Sequence, residues 1–183
     1  GAIPIDSLWS LIKRHGGDPS VPTKEDLRPQ LTYSDFPEFI EKWIWKNNFL
    51  RTYDDFSFIA EEVARNLLRQ NILYAELFFS PSRFADRGLT VIGLAKAIRK
   101  GLDKVRECEI WLIADLVRDH GPEQAAITLA EAAKARQYGI VGIGIGGSEH
   151  RFPPEPFAEV FAEARQVGFK TSAHAGEASG SNS

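Results

Sequence analysis

The sequence predicts an α/β fold in which parallel strands alternate with helices. A change of hydrophobic period supports this class: helical spacing gives way after about residue 70 to short apolar runs rich in β-branched and aromatic residues. From there the runs alternate with helical stretches, which is typical of a parallel sheet with right-handed crossovers. We expect a single domain over residues 1–183, with a helical region at 1–70 and βα units at 71–183.

The N-terminal region contains three predicted helices. Asp6 or Ser7 can cap the first, which ends near Gly16, because short polar side chains accept the free N–H groups of a helix start. A proline-rich loop separates it from a second helix at about 36–47. The third is expected at 54–70, where apolar residues recur at helical spacing.

Four strands and three helices follow. Strands are predicted at 72–79, 109–116, 140–145 and 169–174, and helices at 90–106, 122–137 and 155–167. Two architectures fit this order, an open doubly wound sheet and a (β/α)8 barrel. No G-x-G-x-x-G turn follows the first strand, which argues against a dinucleotide-binding fold. A barrel needs eight strands and about 250 residues, so this chain would hold part of one.

Composition excludes several classes of function. The formal net charge is −3, so the basic excess that neutralises nucleic-acid phosphates or anionic lipids is absent. No apolar run approaches the ~18 residues that span a bilayer. The single cysteine, Cys108, excludes an internal disulfide and a multi-cysteine zinc site. We expect a cytoplasmic protein that binds a small molecule and neither nucleic acid nor membrane.

Each predicted strand ends in polar or glycine-rich residues. Ser80 follows the first strand and Asp115 lies near the end of the second. A glycine-rich run at 142–147 closes the third strand, and His174 and Glu177 close the fourth. The carboxyl ends of parallel strands meet at one edge of the sheet, and the active sites of such folds commonly lie there. Polar turns are common after any one strand, but four in succession indicate a functional site.

His174 and Glu177 lie in the segment most able to bind a metal and transfer protons. A histidine at a strand end can offer a ring nitrogen to a divalent metal, and a nearby carboxylate can move protons for a metal-bound water. A bare H-x-x-E pair is a weak signal because such pairs often arise by chance. His15, His120 and His150 are expected to be surface residues.

Two further patterns allow both a structural and a functional interpretation. The glycines at 142–147 either relieve crowding at a strand end or let a ligand accept a backbone N–H at close range. The helix at 36–47 carries apolar side chains at i, i+3, i+4 and i+7, which form one face. This lid face either packs in the core or covers the mouth of a barrel; it consists of Phe36, Phe39, Ile40 and Trp43.

Three segments resemble the adenosine deaminase family of zinc aminohydrolases. Residues 171–177, Thr-Ser-Ala-His-Ala-Gly-Glu, are similar to the family's T-x-x-H-A-G-E segment. Residues 141–149 resemble its V-G-x-D-L-A-G-x-E segment, and residues 74–81 its Y-x-E-x-R-x-S-P segment. Residues 1–3 are similar to those that follow its H-x-H-L-D-G opening. The resemblance covers nearly the whole chain and implies a (β/α)8 barrel, of which this chain holds about strands two to five.

The resemblance also implies a role for each candidate residue. His174 would bind a catalytic zinc, and Glu177 would be the proton shuttle that protonates the purine N1. Gly147 would donate its backbone N–H to the purine N3, and Ser80 would contact the substrate. The lid face would cover the ribose side of the pocket; its members are Phe36, Phe39, Ile40 and Trp43.

The sequence departs from the family pattern in two ways. The H-x-H pair, a ribose-contacting aspartate and the downstream histidine and aspartate are not among residues 1–183. One zinc ligand is then present where a catalytic zinc needs at least three, so we expect the chain alone to be inactive.

Methionine is absent and Gly1 stands at position 1, from which we expect the chain to start within a longer reading frame.

Three internal positions also differ from the pattern. Phe78 stands where the family usually has arginine, and Gly144 and Ser148 stand where it usually has aspartate. We interpret Phe78 and Gly144 as partners lost together, because losing one alone would leave a buried charge unpaired.

The leading hypothesis is a zinc-dependent enzyme that converts adenosine to inosine and ammonia. The alternative within the same fold is a deaminase of adenine or of a modified adenosine such as aminodeoxyfutalosine. An alternative of another class is an inactive half-barrel that associates with a complementary half or with its own copy as a homo-oligomer. Open sheet edges and an apolar inner face would favour that association.

Overall fold

A computed structural model describes residues 2–180, in which helices pack against one parallel sheet. The helices are α1 Ile5–Arg14, α2 Leu27–Gln30, α3 Phe36–Asn47, α4 Tyr53–Arg69, α5 Val91–Leu102, α6 Gly121–Lys134 and α7 Ala158–Gln166. The strands are β1 Tyr74–Phe79, β2 Glu109–Val117, β3 Ile140–Gly146 and β4 Lys170–Thr171. No helix within residues 2–180 is both long and apolar enough to cross a membrane.

The sheet has the order β1-β2-β3-β4, and every neighbouring pair is parallel. Strands that follow one another in both space and sequence progress in one direction around a barrel. A doubly wound sheet instead reverses its order at a switch point. The strand order therefore favours the barrel, and the chain forms part of one.

The two faces of the sheet have different surroundings. Side chains on one face join the core that fills the space between the sheet and α5 and α6. Its fully buried members include Leu94, Leu112, Leu116, Leu129, Ile143 and Ile145. On the other face of β1, Tyr74 is 53% exposed and Phe78 is 42% exposed. This open face corresponds to the interior of a barrel.

The helix starts differ from the sequence-based prediction by up to three residues, the largest difference being at α7, which begins at Ala158 after a short 3-10 turn at Glu155–Phe157. α1 begins at Ile5 after Pro4, and no side chain caps it, so the prediction of a cap at Asp6 or Ser7 is wrong. The extended backbone of Pro4 leads directly into the helix and leaves Asp6 in its first turn. α4 begins one residue earlier than predicted, because Thr52 caps it.

The fourth strand is shorter than predicted, although its neighbourhood stays extended. Only Lys170 and Thr171 are strand residues, because β4 pairs with β3 on one side alone in the described chain. Beyond them, the backbone N–H groups of Ser172 and His174 still donate to Ile143 O and Ile145 O, each at 3.0 Å. β3 therefore holds the chain in register as far as His174.

Thr52→Ala is expected to lower the free energy of unfolding by about 0.5–2 kcal/mol. The Thr52 hydroxyl accepts the Asp55 N–H at 3.3 Å, while Asp55 Oδ2 accepts the Thr52 N–H at 3.0 Å. Alanine breaks this reciprocal capping box and removes the side-chain acceptor of the Asp55 N–H at the start of α4. Urea denaturation measures the loss.

Thr32→Ala is the matched control, because within residues 2–180 its exposed hydroxyl donates only to Arg28 O one turn away. Equal midpoints for the Thr52 variant and the parent protein would show that the box does not stabilise α4.

Candidate functional site

The carboxyl ends of the strands open into one cavity, which we call the strand-end pocket. It is lined by Phe39, Ile40, Trp43, Phe78, Ser80, Arg83, Asp115, Val117, Gly146, Gly147, His174 and Glu177. The fold thus brings together all the candidate site residues of the sequence analysis except Phe36. The ring of Phe36 instead packs on Phe39, at 5.8 Å between ring centroids, and on His150, at 6.3 Å.

His174 has a defined orientation within this pocket. Its Nδ1 lies 3.0 Å from Ile145 O, and a carbonyl oxygen can only accept, so Nδ1 carries the proton. The ring of Phe78 meets the imidazole edge-on, with 5.2 Å between centroids. In the neutral ring Nε2 therefore keeps its lone pair, as a metal-ligating histidine requires.

One histidine does not make a metal centre. Within residues 2–180, no group of three or more histidine, cysteine, aspartate or glutamate side chains could hold a metal ion. A catalytic zinc takes three protein ligands. His174 fits the chemistry of one such ligand, so a zinc bound here would need further ligands from outside the described residues.

Asp115 is a pocket residue to which the sequence analysis assigned no role. It lies on β2 with 7% of its surface exposed, and Ser80 Oγ donates to its Oδ2 at 3.2 Å. Oδ1 has no hydrogen-bond partner among the residues described. Burial raises the pKa of Asp115 to about 6, against the lowering effects of His174 and of the Ser80 hydrogen bond. The signal in the sequence was a carboxylate within the apolar run of β2.

The glycines of β3 make room for this carboxylate. The register pairs Asp115 with Gly144. A Cβ at Gly144 would lie 3.2 Å from Asp115 Oδ1, and a Cβ at Gly146 would lie 2.8 Å from Oδ2. Of the two interpretations of the glycine run, relief of crowding therefore applies at these two positions.

Gly147 has a different physical requirement. Its φ of +109° lies in the region that favours glycine, and a Cβ there would be 2.2 Å from Asp119 Oδ2. Asp119 is held over Gly147 because Ser148 donates to it twice, from its N–H at 2.8 Å and its hydroxyl at 2.6 Å. Burial raises the pKa of Asp119, but the two Ser148 hydrogen bonds outweigh this and lower it. Asp119 therefore stays ionised and keeps this turn closed.

Arg83 adds a cation to the pocket that the sequence analysis also missed. Its guanidinium lies 4.8 Å from the centroid of the Trp43 ring on α3. Its Nε is buried and has no hydrogen-bond partner within residues 2–180. Burial lowers the pKa of Arg83, while the charges of Asp119 and Asp115 oppose that shift.

The two departures from the family pattern at Phe78 and Gly144 lie in direct contact. A Cβ at Gly144 would be only 2.6 Å from Cε1 of the Phe78 ring. The aromatic ring thus occupies the space that a side chain on β3 would need.

Gly144→Ala is expected to destabilise the full-length protein by about 1–3 kcal/mol, because the new methyl group overpacks the contact with Phe78. The double variant Gly144→Ala/Phe78→Ala should lose less than the two single variants added together, since removing the ring relieves the clash. Thermal unfolding of the four proteins measures this coupling. Additive losses would mean that the ring and the methyl group do not compete for space.

Comparisons with known proteins identify the family. The family model described as adenosine deaminase matches residues 1–183. An adenine deaminase from Vibrio parahaemolyticus is 32% identical over 181 residues, covering 97% of this chain and 53% of that protein. One from Zymomonas mobilis is 31% identical over 184 residues, with the same two shares. The chain therefore spans about half the length of these relatives.

Solved structures show the same fold. The adenine deaminase from Arthrobacter aurescens matches 96% of this chain and 54% of its own, with a TM-score of 0.82 at 24% identity. An amidohydrolase from Burkholderia ambifaria, crystallised with bound zinc, matches 96% of this chain and 49% of its own, with a TM-score of 0.83 at 26% identity. These likenesses confirm the prediction of a partial (β/α)8 barrel. The family model over residues 1–183 and the relatives above 30% identity show that the chain belongs to the adenosine deaminase family.

Proposed function

We propose that the protein carrying this chain hydrolyses the 6-amino group of a purine, and that adenine is its preferred substrate. The observation that carries the proposal is the pairing of His174 and Glu177 in the strand-end pocket of a deaminase fold. The relatives named adenine deaminase, at 31–32% identity over 97% of the chain, favour adenine over adenosine. This revises the adenosine preference of the sequence analysis.

A zinc ion is the cofactor of this proposal. His174 would hold it through Nε2, because Nδ1 is engaged by Ile145 O. When bound, zinc supplies Lewis-acid activation of the attacking water. The amidohydrolase from Burkholderia ambifaria, which was crystallised with zinc, supports this choice of metal.

The chain's own residues would bind the purine and move the protons. Glu177, on the exposed loop after β4, carries the two protons of the attacking water in turn. The first goes to the purine N1 as the oxygen adds at C6, and the second goes to the amino nitrogen, which leaves as ammonia. The overall change consumes one water and replaces the amino group with a carbonyl. The backbone N–H of Gly147 donates to N3, and Ser80 contributes its hydroxyl oxygen. Phe39, Ile40 and Trp43 cover the pocket and exclude bulk water.

The test is ammonia release by the full-length, zinc-loaded protein. Adenine, adenosine and aminodeoxyfutalosine are compared at equal concentration, and we expect kcat/KM for adenine to be at least about 10-fold the highest of the others. A preference for a nucleoside would overturn the choice of adenine alone. No ammonia from any of the three would overturn the deaminase assignment.

The half-barrel hypothesis has its own test. The exposed Tyr74 and Phe78 on the open face favour association of residues 1–183 when they are produced alone. Sedimentation at increasing concentration should then show a rising mass without deaminase activity. A constant monomer mass would contradict association.

A further inference from the structure

The loop that carries Glu177 is held by a buried carboxylate on the neighbouring strand end. Glu149 follows β3, and only 4% of its surface is exposed. Its Oε1 accepts the N–H of Gly176 at 2.7 Å. Its Oε2 accepts the N–H groups of Ala178 at 2.7 Å and Ser179 at 3.0 Å. These hydrogen bonds lie on both sides of Glu177.

A buried cation holds the same loop at its start. Arg118 follows β2 and is 2% exposed. Its Nη2 donates to His174 O at 2.8 Å, and its Nη1 donates to Phe152 O at 3.0 Å. Arg118 therefore fixes the backbone of His174, while Glu149 fixes the backbone around Glu177.

Among the described residues, the loop has few other stabilising contacts. Ala175, Gly176 and Glu177 are exposed, so the segment has little apolar burial to stabilise it. Gly176 has a φ of +71°. Glycine adopts positive and negative φ about equally, so its own backbone does not favour the observed conformation. Hydrogen bonds from backbone N–H groups to an ionised carboxylate are short and roughly twice as strong as neutral ones. Glu149 thus restrains the loop between Gly176 and Ser179 through three backbone hydrogen bonds.

We propose that Glu149 is a positioning residue for the reaction. Its carboxylate holds the loop in the conformation that places Glu177 in the strand-end pocket beside His174. Glu149 does not line that pocket, so it acts on the chemistry only through the backbone. The catalytic part of this inference rests on the proposed function, whereas the structural part, a loop held by Glu149, does not.

The test uses Glu149→Gln in the full-length, zinc-loaded protein. The amide keeps the size of the carboxylate, but its NH₂ group meets backbone N–H donors, and so at least one hydrogen bond is lost. We expect kcat to fall about 10–100-fold with KM within about threefold, since a misplaced proton shuttle affects the chemical step more than binding. Glu163→Gln is the matched control, because it replaces an exposed carboxylate on α7, and it should keep the parent kcat.

Hydrogen exchange provides a readout that does not depend on activity. In the parent protein the amides of Gly176, Ala178 and Ser179 should be protected, and in Glu149→Gln they should exchange at least about 10-fold faster. The amides of β3 should keep their protection. A merely structural role for Glu149 would instead lower protection throughout the sheet and reduce the melting temperature.

The outcomes separate the two proposals. A parent protein without deaminase activity would contradict the proposed function. Hydrogen exchange would then test by itself whether Glu149 holds the loop. Parent-like kcat or parent-like protection in Glu149→Gln overturns the positioning role. Should this variant fail to fold, Glu149→Asp replaces it, because it keeps the charge on a shorter stem. We expect an intermediate kcat and partial loop protection from Glu149→Asp, and a kcat equal to the parent value would overturn the proposal.

Discussion

Glu177→Gln in the full-length, zinc-loaded protein is expected to lower kcat for adenine by about 10²–10⁴-fold, the range that a positioned acid–base group contributes. Glutamine matches the shape of glutamate but cannot take up and release the proton that the purine N1 requires. KM should stay within about threefold, because the substrate still meets the same pocket. Initial rates of ammonia release over a range of adenine concentrations measure both quantities.

The melting temperature separates loss of chemistry from loss of fold in this experiment. Glu177 is exposed and has no buried side-chain partner within residues 2–180, so the variant should unfold at the parent temperature. Glu163→Gln again serves as the control for removal of one exposed carboxylate. A Glu177→Gln protein with parent kcat would show that Glu177 is not the proton shuttle and that another group protonates the purine.

Asp55→Asn is expected to lower the free energy of unfolding by about 1–3 kcal/mol, the range for leaving buried polar groups without their hydrogen-bond partners. The Asp55 side chain is 1% exposed and accepts from Arg14 at 3.0 Å and from His15 Nε2 at 2.9 Å. The backbone N–H groups of Arg51 and Thr52 each donate to it at 3.0 Å. An amide cannot accept from all of these donors, and the guanidinium loses its counter-charge. Urea denaturation at neutral pH measures the loss.

The same carboxylate gives the protein an acid-sensitive stability. Burial raises the pKa of Asp55, but the hydrogen bonds from Arg51, Arg14, His15 and Thr52 outweigh it and hold the pKa below its usual value. A group with a lowered folded pKa contributes its full stabilisation above its unfolded pKa, which is about 3.9 for aspartate. That contribution is lost as the pH falls through the folded pKa.

A series of urea denaturations from neutral to strongly acidic pH tests this linkage. The parent protein should lose stability more steeply below about pH 4 than the Asp55→Asn variant does. Asp54→Asn, which changes the exposed neighbour on α4, is the matched control and should follow the parent curve. Parallel curves for the parent and Asp55→Asn would show that the pKa of Asp55 is the same in the folded and unfolded states, which would contradict the prediction.

His15 illustrates where local interpretation was wrong. Its position after a helix and before two glycines predicts a surface histidine. In the structure it is half-buried, and its Nε2 lies 2.9 Å from Asp55 Oδ2 across 40 positions of the chain. No local pattern reports a partner at that separation.

Helix α3 illustrates the opposite case. Its predicted range of 36–47 agrees with the structure, because the signals that define it are local. Asp35 accepts the Glu38 N–H at 2.9 Å, Pro37 lies in the first turn, and an apolar face recurs at helical spacing. The helix type, its start and its lid face could all be read from twelve neighbouring residues.

The sequence by itself determined the α/β class, the four strands, the lid face of α3 and the candidacy of His174 and Glu177. Hydrophobic period and short motifs are properties of neighbouring residues, so they are legible without a structure. Only the tertiary structure decided the partners. It placed Asp115 against Gly144, Arg83 on Trp43, and Glu149 beneath the loop of Glu177. Each of these contacts joins residues far apart in the sequence, so it depends on strand register and packing, which no local pattern encodes.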